Sequence, residues 1–131
     1  MDSIDVREKS GVVLAYLGDS IWEVNVREYF FFKGYNLKHM NNEVVKYVNA
    51  KTQSKILNRI LKNVEDKYKP LINRSKNGKI KSFPKTCTPQ EYREATAFEA
   101  YIAALYLDGN IDEIRHIVKL NINLEEKDGI I

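Results

Sequence analysis

Two carboxylates stand where an apolar surface is expected. Asp19 lies in LAYLGDSIWEV (14–24) and Glu99 in REATAFEAYIAALYLD (93–108), segments otherwise written for burial. An acid among apolar side chains is costly unless something satisfies it. For either residue alone, a lysine partner or a nearby helix end is explanation enough. Two such residues, on a glycine-containing and an alanine-rich segment able to pack closely, point instead to a shared ligand. Carboxylates brought together repel, and a divalent cation relieves the repulsion. A cation held in this way polarises a phosphoryl oxygen and lowers the pKa of a bound water toward neutrality. Glu23, one turn beyond Asp19, is a candidate third acid. Cys87 is the only cysteine, and His39 and His116 are far apart in sequence, so a zinc site of the usual composition is excluded. Carboxylate and water ligands favour Mg²⁺ or Mn²⁺.

These acids must be carried by helices. From about Ser10 to Phe32, Leu14, Leu17, Ile21 and Val24 follow the 3.6-residue spacing of a buried stripe. A second row, Val12, Tyr16, Asp19, Glu23, Val26 and Phe30, runs along the other side, so this helix is predicted to be enclosed by neighbours or shared with another subunit. Gly18 in its middle costs about 1 kcal/mol relative to alanine and asks for a packing reason. KGYN (33–36) ends the helix, with Gly34 as the stop signal. Residues 42–73 read as two or three helices with a break or fresh start at Pro70. Residues 74–88 show no helical period and read as a loop. Thr88-Pro89-Gln90-Glu91 is a helix start, with a Thr cap, Pro at the first position and Glu three residues after the cap. In the helix that follows, Tyr92, Ala95, Glu99, Ala103 and Tyr106 share a face. Asp108-Gly109-Asn110 is a turn, Ile111 to Leu120 a last short helix, and residues 121–131 a solvated tail. No strand alternation or internal repeat is present, so the chain reads as one all-α domain over 1–131.

Its 44% hydrophobic and 30% charged residues are those of a globular chain rather than a disordered one. No apolar run approaches the roughly 20 residues of a membrane span. The first ten residues lack the apolar core of a secretory signal, and the lone cysteine fits a reducing cytosol, so a cytoplasmic protein is expected. A net charge of +3 says little, but its distribution says more. Between Lys67 and Gln90 stand Lys67, Lys69, Arg74, Lys76, Lys79, Lys81 and Lys85, without one acid. Such a run offers sequence-independent attraction to a nucleic-acid backbone. Arg74, Lys76, Lys79, Lys81 and Lys85 are accordingly the candidate phosphate contacts. Lys51 and Gln53, in NAKTQ, either face phosphates or decorate an exposed helix. Arg93 either supports a phosphate or pairs with Glu94 or Asp108. Trp22, Tyr16 and Phe30-Phe31-Phe32 read as core or dimer contacts.

LAYLGDSIWEVNVREYF (14–30) together with YREATAFEAYIAALYLD (92–108) resembles the two signature helices of the ribonuclease III catalytic domain. The likeness extends through YVNAKTQSKIL (47–57) and NRSKNGKIKSFPK (73–85), and is greatest to the compact Mini-ribonuclease III branch, which lacks a separate double-stranded-RNA-binding domain. The resemblance implies an all-helical homodimer, a metal-dependent endoribonuclease that cuts both strands of duplex RNA and leaves short 3′ overhangs. It implies Asp19 and Glu99 as the catalytic, Mg²⁺-binding acids, and large-subunit (23S) ribosomal RNA precursor as substrate. Larger members of the family carry further acids where this chain has Ala15 and Thr96; the compact branch lacks both. A histidine usual in that branch is replaced by Asn41, and His39, two positions away, is given no role. The alternative is a non-catalytic helical RNA-binding or ribosome-associated protein of the same fold, which would have no reason to keep Asp19 and Glu99 together.

Overall fold

The computed structural model describes residues 10–80 and 82–128. The six α-helices among them are α1 (Gly11–Phe32), α2 (Leu37–Val44), α3 (Ala50–Ile60), α4 (Lys69–Lys76), α5 (Pro89–Leu107) and α6 (Ile111–Asp128). Two 3₁₀ turns, Leu61–Asn63 and Asp66–Tyr68, join α3 to α4, and no strand occurs among the described residues.

Local chemistry sets the helix ends. Gly34 adopts φ +83°, a left-handed conformation that stops α1. Asn36 and Asn49 cap α2 and α3 by accepting from the His39 and Thr52 backbone N–H groups. Pro70 opens α4, the fresh start expected there. Thr88 and Glu91 form the reciprocal capping box that the sequence announced for α5.

Helix α5 is the axis of the molecule. Ala97, Phe98, Ala100, Ile102, Ala103 and Ala104 on it are fully buried, and it packs against α1, α3, α4 and α6. Four neighbours fit because its alanines leave the backbone accessible. Trp22 of α1 sets its indole edge-on to Phe98, with 4.8 Å between ring centroids, and donates Nε1–H to the Tyr47 carbonyl at 2.8 Å.

Three expectations require correction. The buried face of α1 is Leu14, Ala15, Gly18, Ile21, Trp22, Val26 and Phe30, a row advancing largely by four residues. Leu17, Val24, Val12 and Tyr16 lie outside it and are exposed. Both faces are apolar, so periodicity alone could not choose between them, and the approach of α5 at Gly18 decides. Arg74 and Lys76 belong to the last turn of α4 rather than to a loop, because Leu71, Ile72 and Ser75 bury against the core. Finally, 121–128 is no tail: α6 continues to Asp128 and buries Asn121, Ile122 and Glu125. Glu125 is wholly buried, ion-paired to Lys55 at 2.9 Å and to Arg59. Burial alone would raise its pKa, but the hydrogen bonds and charges of Lys55 and Arg59 outweigh it and hold the carboxyl below its usual range. Its partners lie on α3, some 70 residues earlier, which is why the segment looked solvated in sequence.

Candidate active site

The site is built where α1 crosses α5. Gly18 explains the crossing: a Cβ there would stand 1.8 Å from the Glu99 carbonyl oxygen and 2.6 Å from its carbon. Only a residue without a side chain lets the two backbones approach this closely. The residue following Gly18 is Asp19, so the contact that demands glycine also presents the aspartate to Glu99.

The two carboxyl groups meet. Burial pushes the Glu99 pKa up to about 9; hydrogen bonding to Asp19 and the Asp19 charge push in the same direction, and the Gln53 amide pulls it back. Without a counter-charge, Glu99 therefore keeps its proton at neutral pH. Both acids line a cleft of about 670 Å³ together with Gln53 of α3, Lys79, and Tyr92 and Arg93 of α5.

This donor set fits a hard divalent cation. Two carboxyl groups brought together at a cleft are oxygen ligands of the right kind, with water completing the sphere. The orphaned, buried amide of Gln53 stands behind them (Nε2 makes no hydrogen bond among the described residues). No group of three or more acids, histidines or cysteines suited to a metal occurs among those residues. Glu23 forms an ion pair with Arg27 on its own helix and is absent from the cleft lining. Ala15 and Thr96 do line the cleft, so acids in their places would reach it. The Thr96 hydroxyl instead donates back to the Tyr92 carbonyl at 2.9 Å.

Of the basic candidates, Lys79 lines the same cleft as the acids. Lys51 is exposed on the first turn of α3, next to Ala50, which lines the cleft. Arg74 and Lys76 lie on α4 and Lys85 is exposed on the way to α5, none of them in the lining; Lys81 lies outside the described residues. Arg93 pairs with neither Glu94 nor Asp108; its Nε–H donates to the Gly78 carbonyl at 3.3 Å, tying α5 to the segment after α4. Gln53 is buried and lines the cleft rather than decorating an exposed helix surface, because α3 is bolted to α5. Ser54 and Asn58 donate to the buried Glu94 carboxylate at 2.6 and 3.2 Å. His39 stacks on Tyr35 at 3.9 Å and takes no part in the cleft.

Comparison with known proteins finds relatives over nearly the whole chain. The Ribonuclease III domain family matches residues 12–110. A Mini-ribonuclease 3-like protein of Ilyobacter polytropus is 50% identical over 127 residues, covering 97% of this chain and all of its own. Mini-ribonuclease 3 of a Thermoanaerobacter species is 33% identical over 119 residues, 90% of this chain and 84% of its own. The crystal structure of a Fusobacterium nucleatum protein superimposes with a TM-score of 0.84 at 45% identity, covering 94% of this chain and 99% of that one.

Proposed function

Since the chain belongs to the ribonuclease III family of endoribonucleases, we propose that it hydrolyses phosphodiester bonds in double-stranded RNA with the help of Mg²⁺ or Mn²⁺. The observation that carries the reading is the convergence of Asp19 and Glu99 on one cleft, from positions 80 residues apart. A non-catalytic RNA-binding protein of this fold has no use for a contact that leaves a half-buried acid protonated.

In this proposal Asp19 and Glu99 are the residues that hold the cation. A divalent ion held there supplies Lewis acidity toward the phosphodiester and lowers the pKa of water to make a nucleophile. Asp19, exposed at the cleft, presents an oxygen to solvent, while Glu99 closes the inner wall. Lys79 lines the same cleft and contributes positive charge for phosphate oxygens, where developing negative charge is stabilised. Lys51, Arg74, Lys76 and Lys85 lie outside the lining and extend the attraction along the duplex backbone. Contacts of this kind read the shape of A-form RNA rather than base identity, since its deep major groove hides the bases.

Duplex cleavage needs a site for each strand, and we assign the second to a second copy. Val13, Leu17 and Val24 are exposed on the outer side of α1, and Tyr16 is 87% exposed at the cleft edge. An apolar helix face of this sort fits a two-fold contact. Among the described residues no helix is long and apolar enough to cross a membrane. A cytoplasmic location suits the single, unpaired Cys87. The substrate proposed is ribosomal RNA precursor of the large subunit (23S), the one implied by the likeness to the compact branch of the family.

The test is cleavage of a labelled RNA duplex with and without Mg²⁺, by the wild type, Asp19→Asn and Glu99→Gln. The wild type should cut only with the metal, and each variant should fall at least about 100-fold in rate while still binding duplex. Wild-type rates in both variants would remove Asp19 and Glu99 from the chemistry.

A further inference from the structure

We propose that Gln53 is a positioning residue for the acid pair, its side-chain amide holding the Glu99 carboxylate in the orientation that receives the cation. This inference rests on the metal-binding role proposed for Asp19 and Glu99.

Gln53 is 2% exposed, and its Nε2 has no hydrogen-bond partner among the described residues. A buried donor left unmade costs about 1–3 kcal/mol, so an amide kept in that condition calls for a reason. Its position supplies one. Gln53 lines the same cleft as Glu99, and its side-chain amide is the neighbour that favours the charged form of the Glu99 carboxyl. In the structure the Glu99 carboxyl is turned to Asp19. A Glu99 carboxylate that gives one oxygen to the cation keeps the other to accept the Gln53 N–H, which would satisfy the buried donor. Carboxylates that ligate metals are themselves held by hydrogen bonds of this kind.

The amide is also held still. The Asn49 cap fixes the register of α3, accepting from Thr52 at 2.9 Å, while the Asn49 carbonyl takes the Gln53 N–H at 3.0 Å. Ser54, the next residue, anchors the helix to Glu94 on α5. The donor is thus carried by a helix bolted to the one that carries Glu99, which gives a site its precision.

The experiment compares the full-length wild type with Gln53→Leu and Gln53→Met, which keep the volume and remove the donor. Three quantities are read: Tm in EDTA, Mg²⁺ affinity by calorimetry without RNA, and the Mg²⁺ dependence of duplex cleavage. The variants should melt no lower than the wild type in EDTA, since an unpaired buried donor has been removed. Their Mg²⁺ affinity should fall by about 10–100-fold, and cleavage should recover at high Mg²⁺ with the KM for RNA unchanged. Wild-type Mg²⁺ affinity in both variants overturns the inference, whether or not Tm falls, and leaves Asp19 and Glu99 in their roles. Absence of Mg²⁺ binding by the wild type itself would instead bring down the reading on which the inference stands.

Discussion

At the scale of single residues, the site turns on a carboxyl that is expensive to ionise. Glu99 has an ordinary pKa of 4.5 and one near 9 in the fold, raised first by burial and then by Asp19. Between those values the folded protein binds more protons than the unfolded chain, so stability falls as pH rises. The contribution is fully present below pH 4.5 and is gone by pH 9. In EDTA, the wild type should therefore melt lower at pH 8 than at pH 5 by more than Glu99→Gln does. At pH 8 the Gln variant should exceed the wild type by about 1 kcal/mol or more, a few degrees in Tm. Identical Tm profiles against pH for the two proteins would show that Glu99 carries no such penalty. Gly18 belongs to the same economy of space: its missing side chain brings α1 against the Glu99 backbone, and so brings the acids together.

At the scale of elements, the acids are placed by two helices and the positive charge by the end of α4 and the stretch leading to α5. Lys79 stands in the cleft, and Arg93 reaches from α5 to the Gly78 carbonyl, so the basic stretch is tied to the helix that carries Glu99. Replacing Lys76, Lys79 and Lys85 by Ser should weaken duplex binding for all sequences alike. It should also flatten the dependence of log Kd on log salt, by roughly 0.7 to 0.9 for each phosphate that the protein no longer neutralises. A salt slope equal to that of the wild type would make these lysines bystanders. These elements were unequally legible in the sequence. The Thr88–Glu91 cap, the Gly34 stop and the Pro70 start are local signals and were readable as such. The course of α6 past Leu120 was not, because Glu125 is made tolerable by Lys55 and Arg59, which only the fold brings near.

At the scale of the whole molecule, the fold leaves one long helix apolar on two sides. The inner side meets α5; the outer side carries Val13, Leu17 and Val24 in the open. In the proposed assembly, a second copy on this face would supply the second site. Light scattering should give twice the mass of the 15.2 kDa chain, and Leu17→Asp with Val24→Asp should give the single mass with the helical content retained. A monomeric wild type at micromolar concentration would contradict the assembly. Glu99 was legible in the sequence because it stands among the apolar residues of α5, whereas Asp19, read as an acid on a buried face, is exposed at the cleft and reaches Glu99 through the Gly18 contact. Gln53 was not, because a glutamine in a helix is ordinary until α3 docks on α5 and buries it.

The most direct measurement is a calorimetric titration of the RNA-free protein with Mg²⁺ at pH 8, for the wild type, Asp19→Asn and Glu99→Gln. The wild type should bind the ion, and each single substitution should weaken binding by about 10-fold or more, because each removes half of the carboxylate pair. Binding of equal strength in all three proteins would contradict the account at its centre, since the cation would then be held somewhere other than between α1 and α5.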